Sequence, residues 1–223
     1  KGRSMSTYGQ FCPVAKAMEL LDERWTLLVV RELLQGSAHF NDLRRGVPKM
    51  SPALLSKRLK SLARAGVVER TEVDGRTTYS LTECGRELSG VVDALGSWGV
   101  RWVGELGEDD LDPHLLMWDM RRNLRIDPPP QDLKVIHFTY PDAPQRDRKW
   151  WLVVRPDEPV DLCSVDPGLD VDLYVRAELR AMTAIWMGLD TVRAALREER
   201  MKLTGERKLA ADMQTWLGLS PFA

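Results

Sequence analysis

The stretch SPALLSKRLKSLARAG, residues 51–66, holds Leu55, Leu59 and Leu62 at helical spacing and carries Lys57, Lys60 and Arg64 among them. At 100° per residue, with Leu55 set at zero, Ala53, Lys57, Lys60 and Arg64 fall roughly opposite the leucines. No acid lies among them. Amines and a guanidinium so placed can meet phosphates or guanine edges. Small Ala53 and the hydroxyls of Ser51 and Ser56, near the start of the helix, allow close approach to bases. Taken alone, the stripe reads as a solvated helix face; the elements around it reverse that reading.

Ser51 is a favoured N-cap and Pro52 sits at the first helical position, so the segment starts well as a helix. Before it, CPVAKAMELL predicts a helix from Pro13, with a break near Asp22 to Arg24. RWTLLVVRELLQG predicts a second, largely apolar and therefore buried helix that stops at Gly36. HFNDLRRG predicts a short third helix with Phe40 and Leu43 inward, and Val47 to Met50 form a turn. After Gly66, VVERTEV and RTTYSL alternate as strands around Asp74-Gly75, a strong hairpin signal. The segment from Glu83 to Leu106 then predicts one long helix with an apolar stripe of Leu88, Val91, Val92, Leu95, Trp98 and Trp102. A short helix, a tight turn, a helix with a basic outer face and a hairpin follow the order of a winged helix-turn-helix. In that geometry the second helix lies in the major groove of a duplex. Arg76, just past the turn, stands at the hairpin tip, where it either meets the adjacent minor groove or is an ordinary solvated residue.

The whole chain has 223 residues, 43% hydrophobic and 29% charged, as globular proteins do. No apolar run approaches the roughly 18 residues of a membrane span, and no secretory pattern opens the chain. KGRS before Met5 reads as an expression remnant. Cys12, Cys84 and Cys163 are widely spaced without a CxxC, which argues against a disulfide framework or zinc site. A reduced, cytoplasmic protein is expected. The net charge of −1 hides an asymmetry: residues 1–104 carry 16 basic and 11 acidic residues, and residues 105–223 carry 16 basic and 22 acidic. Opposite signs suggest two domains with different partners, the positive one suited to an anionic polymer.

The expected division is 5–104 for the winged-helix domain with its long helix, 105–113 for a linker, and 114–223 for a second domain. The fold class is α+β in both. The second domain opens with the amphipathic PHLLMWDMRRNLRI, ended by the DPPP of residues 127–130. LKVIHFTY, KWWLVVRP, PVDLCSV and VDLYVRA predict four strands, read as an antiparallel meander. Helical patterns follow in ELRAMTAIWMG, LDTVRAALREE and GERKLAADMQTWLGL. His39, His114 and His137 are isolated and show no metal-ligand spacing. There is no GxSxG and no phosphate-cradling loop. Asp109 with Asp110, and Glu198 with Glu199, read as linker and helix surface. Neither an enzyme nor a cofactor is expected.

The ordered set from CPVAKAMELL to GVVER, followed by YSLTECGREL, resembles the HxlR-type winged-helix transcriptional regulators, relatives of the MarR group. The likeness covers about the first hundred residues. It implies a homodimer on a pseudo-palindromic DNA operator, joined through the N-terminal segment and the long helix after the hairpin. Val91, Leu95, Trp98 and Trp102 are then interface candidates, alternatively packed within one chain. The short hairpin departs from the family. Some relatives have a cysteine at the CP position that senses electrophiles or oxidants, so Cys12 is a candidate sensor, with Lys16 one turn on as the basic neighbour that favours a thiolate. Its alternative role is that of a small packed residue.

The tail from VDLYVRAELRAM to MQTWLG resembles sterol-carrier-protein-like domains: sheet, helix, second helix, short KLTG-type strand, final helix. That resemblance implies an apolar tunnel for a hydrophobic small molecule. Trp118, Trp150, Trp151, Met182, Trp186, Met187 and Trp216 would supply its walls, or else simply fill a core. The rival to a DNA-binding regulator is a carrier of hydrophobic ligands whose winged helix serves protein contacts.

Overall fold

The structure is a computed structural model in which residues 7–103, 105–126 and 130–223 are described. The expression remnant before Met5, the domain end at Gly104 and most of the DPPP break lie outside them. Two compact units divide the chain, Lys1–Gly96 and Ser97–Ala223. The division falls inside a helix, so the segment 105–113, read as a linker, belongs to the second unit.

The first unit runs α1 Pro13–Leu21, α2 Thr26–Leu34, α3 Phe40–Gly46, α4 Pro52–Arg64, β1 Val68–Val73, β2 Arg76–Leu81 and α5 Glu83–Glu87, and α6 Ser89–Val103 leads out of it. The largely apolar α2 buries Val29, Val30 and Leu33 and packs on α3, α4 and β2. The helix of Leu55, Leu59 and Leu62 is α4, and all three leucines are buried. Each contributes about 1.5–3 kcal/mol by leaving water. Asp74 and Gly75 both take positive φ, 51° and 72°, which is the two-residue turn that matches strand twist. The expected long helix is interrupted at Leu88. There Leu88 N–H bonds Gly85 O and Val91 N–H bonds Leu88 O, two tight i to i−3 steps that separate α5 from α6.

In the second unit come α7 Pro113–Asn123, β3 Lys134–Thr139, β4 Lys149–Val154, β5 Asp161–Cys163, β6 Leu173–Ala177, α8 Leu179–Trp186, α9 Val192–Arg197, β7 Met201–Gly205, α10 Arg207–Ala211 and α11 Met213–Leu217. The sheet order is β5-β4-β3-β6-β7. This is not the expected antiparallel meander: β6 crosses over and runs parallel to β3, while the other pairs are antiparallel. Asp172 is the reason. Its carboxylate accepts the Val135 N–H at 2.8 Å and its own N–H donates to Val135 O at 2.9 Å, which sets the start of β6 beside the start of β3. Lys134 then bridges Asp172 at 3.2 Å and Glu206 at 2.7 Å, tying β3, β6 and the end of β7 together. The final helix also divides, at Asp212, into α10 and α11. One sheet face, with Ile136, Phe138, Trp150, Leu152, Leu173 and Val175, shares a core with α7, α8 and α11.

Candidate nucleic-acid interface

Three devices hold the helix-turn-helix together. Ser51 caps it, its hydroxyl accepting the Leu54 N–H at 3.3 Å, so one orphan donor of the first turn is met within the chain. Glu32, fully buried in α2, reaches the end of α3. A Cβ on Gly46 would stand 1.8 Å from its carboxyl carbon, so any larger residue there has to displace the Glu32 carboxylate. Arg31 joins the same lock, donating to Glu32 at 2.9 Å and to Gly46 O at 2.9 Å. The third device is Arg58, which is buried on the inner side of α4. It donates to Arg24 O at 3.1 Å and pairs with Glu23, clamping α4 to the turn between α1 and α2. In that turn Trp25 takes a left-handed φ of 79°, a conformation a bulky residue holds only when its surroundings impose it. Burial pulls the Arg58 pKa below the usual arginine value, and the Glu23 carboxylate offsets that cost.

With the inner side so held, Ala53, Lys57, Lys60 and Arg64 are all exposed on the outer side and Ser56 is half-buried. None of Lys57, Lys60 and Arg64 forms an ion pair among the described residues. The field is wider than the three residues singled out by periodicity. Between Asp42 and Glu69 the chain has seven cations (Arg44, Arg45, Lys49, Lys57, Arg58, Lys60 and Arg64) and no acid. Arg44, Arg45 and Lys49, which helical spacing on α4 did not reach, are exposed beside the α3–α4 turn. An acid-free window of this length was the signal that could have found them. A 13-residue helix is about 20 Å long and 10–12 Å wide, dimensions a major groove admits.

The hairpin is held along β2, where Tyr79 N–H donates to Ala38 O at 2.8 Å and His39 Nδ1 lies 3.3 Å from Thr77 O. Arg76 is exposed at the tip. Glu69, Glu72 and Asp74 share that hairpin, so its field is mixed where that of α4 is of one sign.

Cys12 is the N-cap residue of α1, half-buried, and its side chain makes no cap bond. Lys16 does not serve it: the ammonium donates to Glu19 at 3.0 and 3.2 Å. Along α6, Val91, Leu95, Trp98 and Trp102 are exposed, Trp102 by 69%. The seven residues read as pocket walls do not line one space. Trp150, Met182, Trp186 and Trp216 lie in the core cluster. Trp151 is on the opposite sheet face, because neighbours in a strand alternate. Trp118 is buried with Arg121 stacked 4.3 Å from its ring centre, and Met187 is half-buried at the end of α8. Three of the core indoles donate to protein acceptors: Trp150 to Asp147 O, Trp186 to the Asp119 carboxylate, and Trp216 to Leu209 O. Among the described residues no cluster of His, Cys, Asp or Glu has the makings of a metal site. None of the described helices is long and apolar enough to cross a membrane.

A helix-turn-helix followed by a hairpin, its second helix outwardly cationic, defines the class of winged helix-turn-helix proteins. The model of the HxlR-like helix-turn-helix family matches residues 20–106. The HTH-type transcriptional regulator YvaP of Bacillus subtilis is 37% identical over 98 residues, covering 42% of this chain and 91% of that protein. YdeP, an HTH-type transcriptional regulator of the same organism, is 32% identical over 94 residues, covering 41% of this chain and 73% of YdeP. Among solved structures, the reduced form of the transcriptional regulator YodB from B. subtilis aligns at 30% identity over 42% of this chain and 95% of that chain, with a TM-score of 0.37. On the sequence matches, the chain belongs to the HxlR-like helix-turn-helix family of transcriptional regulators.

Proposed function

We propose that this protein is a dimeric, cytoplasmic regulator that lays α4 in the major groove, with Ser51, Ala53, Ser56, Lys57, Lys60 and Arg64 against bases and phosphates and Arg76 beside the adjacent backbone. The observation that supports this most directly is the acid-free cationic side of α4, exposed opposite three buried leucines. Two copies joined through the apolar sides of α1 and α6 would present two such helices to half-sites about 34–36 Å apart. The second unit would carry the response. A hydrophobic effector against Trp150, Met182, Trp186 and Trp216, as the sterol-carrier-like resemblance implies, would change the spacing of the helices. Modification of Cys12 is a second route to the same change. An effector that binds the folded form raises its melting temperature.

The test is the salt dependence of binding to a duplex selected from a random pool. Each phosphate contact contributes about 0.9 to the slope of log K against log salt, so Lys57→Ala with Lys60→Ala lowers that slope by roughly 2. An unchanged affinity and slope would remove α4 from the groove and leave the ligand-carrier reading.

A further inference from the structure

The face of the second unit's sheet that points away from its core is built differently from an ordinary solvated face. In register across it run Cys163 of β5, Trp151 of β4, His137 of β3, Tyr174 of β6 and Thr204 of β7. His137 stacks on Trp151 with ring centres 4.5 Å apart and planes within 15°. Tyr174 meets the same imidazole edge-on at 5.6 Å and is itself 48% exposed. His137 Nε2 is buried and finds no hydrogen-bond partner among the described residues. One row further along the same face come Lys149, Thr139, Arg176 and Lys202, again in register. The three cations of that row are exposed, and none is ion-paired among the described residues.

Acids stand at the edges of these rows. Asp161 and Asp166 are on the β5 side, and Glu178 is two residues beyond Arg176. Burial and the neighbouring Lys149 charge lower the His137 pKa against the opposing pull of Asp166, which favours a neutral ring for stacking. The face therefore has an aromatic patch about one ring wide, flanked on one side by positive charge.

We infer that this outer sheet face binds a small planar aromatic anion, its ring on Tyr174 and His137 and its carboxylate toward Arg176 and Lys202. Two residues along a strand span about 7 Å, and the long, exposed Arg176 and Lys202 side chains can reach back over that gap to a carboxylate on a ring seated at Tyr174. Stacking supplies affinity and the cations supply the preference for negative charge. A single-stranded nucleic acid fits less well, because it needs successive stacking platforms along a groove, and here one exposed tyrosine is followed by a half-buried imidazole and a buried indole. The site is separate from the core indoles and does not depend on DNA binding.

The experiment is calorimetric titration of the full chain, without DNA, using 2-naphthoate and its uncharged counterpart 2-naphthamide. The expected result is saturable binding with naphthoate preferred by roughly tenfold. Tyr174→Thr, exposed and kept β-prone, weakens both ligands by about tenfold. Arg176→Ala with Lys202→Ala abolishes the preference and leaves the amide affinity in place. Near-ultraviolet circular dichroism and melting temperatures matching wild type show that the variants are folded. Absence of saturable heat overturns the proposal, as does binding that both variants leave intact. A single-stranded oligonucleotide that binds more tightly than naphthoate through the same residues overturns it in favour of a nucleic-acid platform.

Discussion

The two units spend their apolar residues in opposite ways. In the first, α1 buries none of its nine residues, and α6, which leads out of it, buries only Val92. Phe11 is 99% exposed and Leu95 50%. In the second unit α8 buries six of its eight residues, and the inner sheet face, α7 and α11 close around one cluster. Isolated exposed apolar residues are ordinary on protein surfaces, but whole helices with almost nothing buried are not. The difference teaches that the second unit closes its helices around one cluster, whereas α1 and α6 leave their apolar sides exposed, as the proposed dimer would require. Meanwhile α4 is held from within by Arg58 and three leucines, which leaves its charged side outward.

The sharpest way to break this comparison is at Phe138, buried at the centre of the second unit. Phe138→Ala should cost about 3–5 kcal/mol in urea unfolding. A loss under about 1 kcal/mol would mean the core is not where the second unit's stability resides. Next comes the exposed stripe. Trp98→Ala with Trp102→Ala should weaken self-association by about 2–4 kcal/mol, read by sedimentation. Unfolding of the dissociated chain should hardly change, and a variant that sediments as wild type would separate α6 from any dimer.

Gly46→Ala tests the internal lock of the first unit. The added methyl displaces the Glu32 carboxylate from its bonds to Arg31 and Ser37. The expected loss is about 1–3 kcal/mol, together with weaker duplex binding although no charged residue has changed. The smallest effect belongs to Lys134. Its bonds to Glu206 and Asp172 raise its pKa above the ordinary lysine value of 10.5. A raised folded pKa means that its contribution is complete below the unfolded value and is lost as pH climbs through the folded one. Lys134→Met should therefore destabilise by about 0.5–1 kcal/mol near neutrality. Denaturant midpoints of variant and wild type should converge only above pH 10.5. A gap that persists unchanged there would assign the effect to packing rather than charge.

Local chemistry was legible wherever it dominated. Ser51-Pro52 announced the start of α4, Asp74-Gly75 announced the hairpin, and the 3.6-residue period separated leucines from lysines. Arg58 was missed because it lies only about 60° from the leucine direction and reads as one more surface cation; its burial depends on Glu23 and Arg24, more than thirty residues away. The buried Glu32 escaped because its burial depends on the end of α3, at Gly46, closing over it. Trp150 and Trp151 were grouped by residue type, although the period of two places them on opposite faces. The meander was a default of sequence order, and nothing local in PVDLCSV or VDLYVRA announces that Asp172 will pair with Val135.

Sequence alone determined the helix-turn-helix order, the hairpin and the one-signed outer side of α4, since each follows from spacing, capping and turn preferences acting within a few residues. Tertiary structure decided the parallel pairing of β3 with β6, the inward turn of Arg58 and Glu32, and the assembly of Trp151, His137 and Tyr174 on one sheet face. Those depend on contacts between distant segments, where the cost of burying a charge or crossing a sheet is met by partners that no local pattern names.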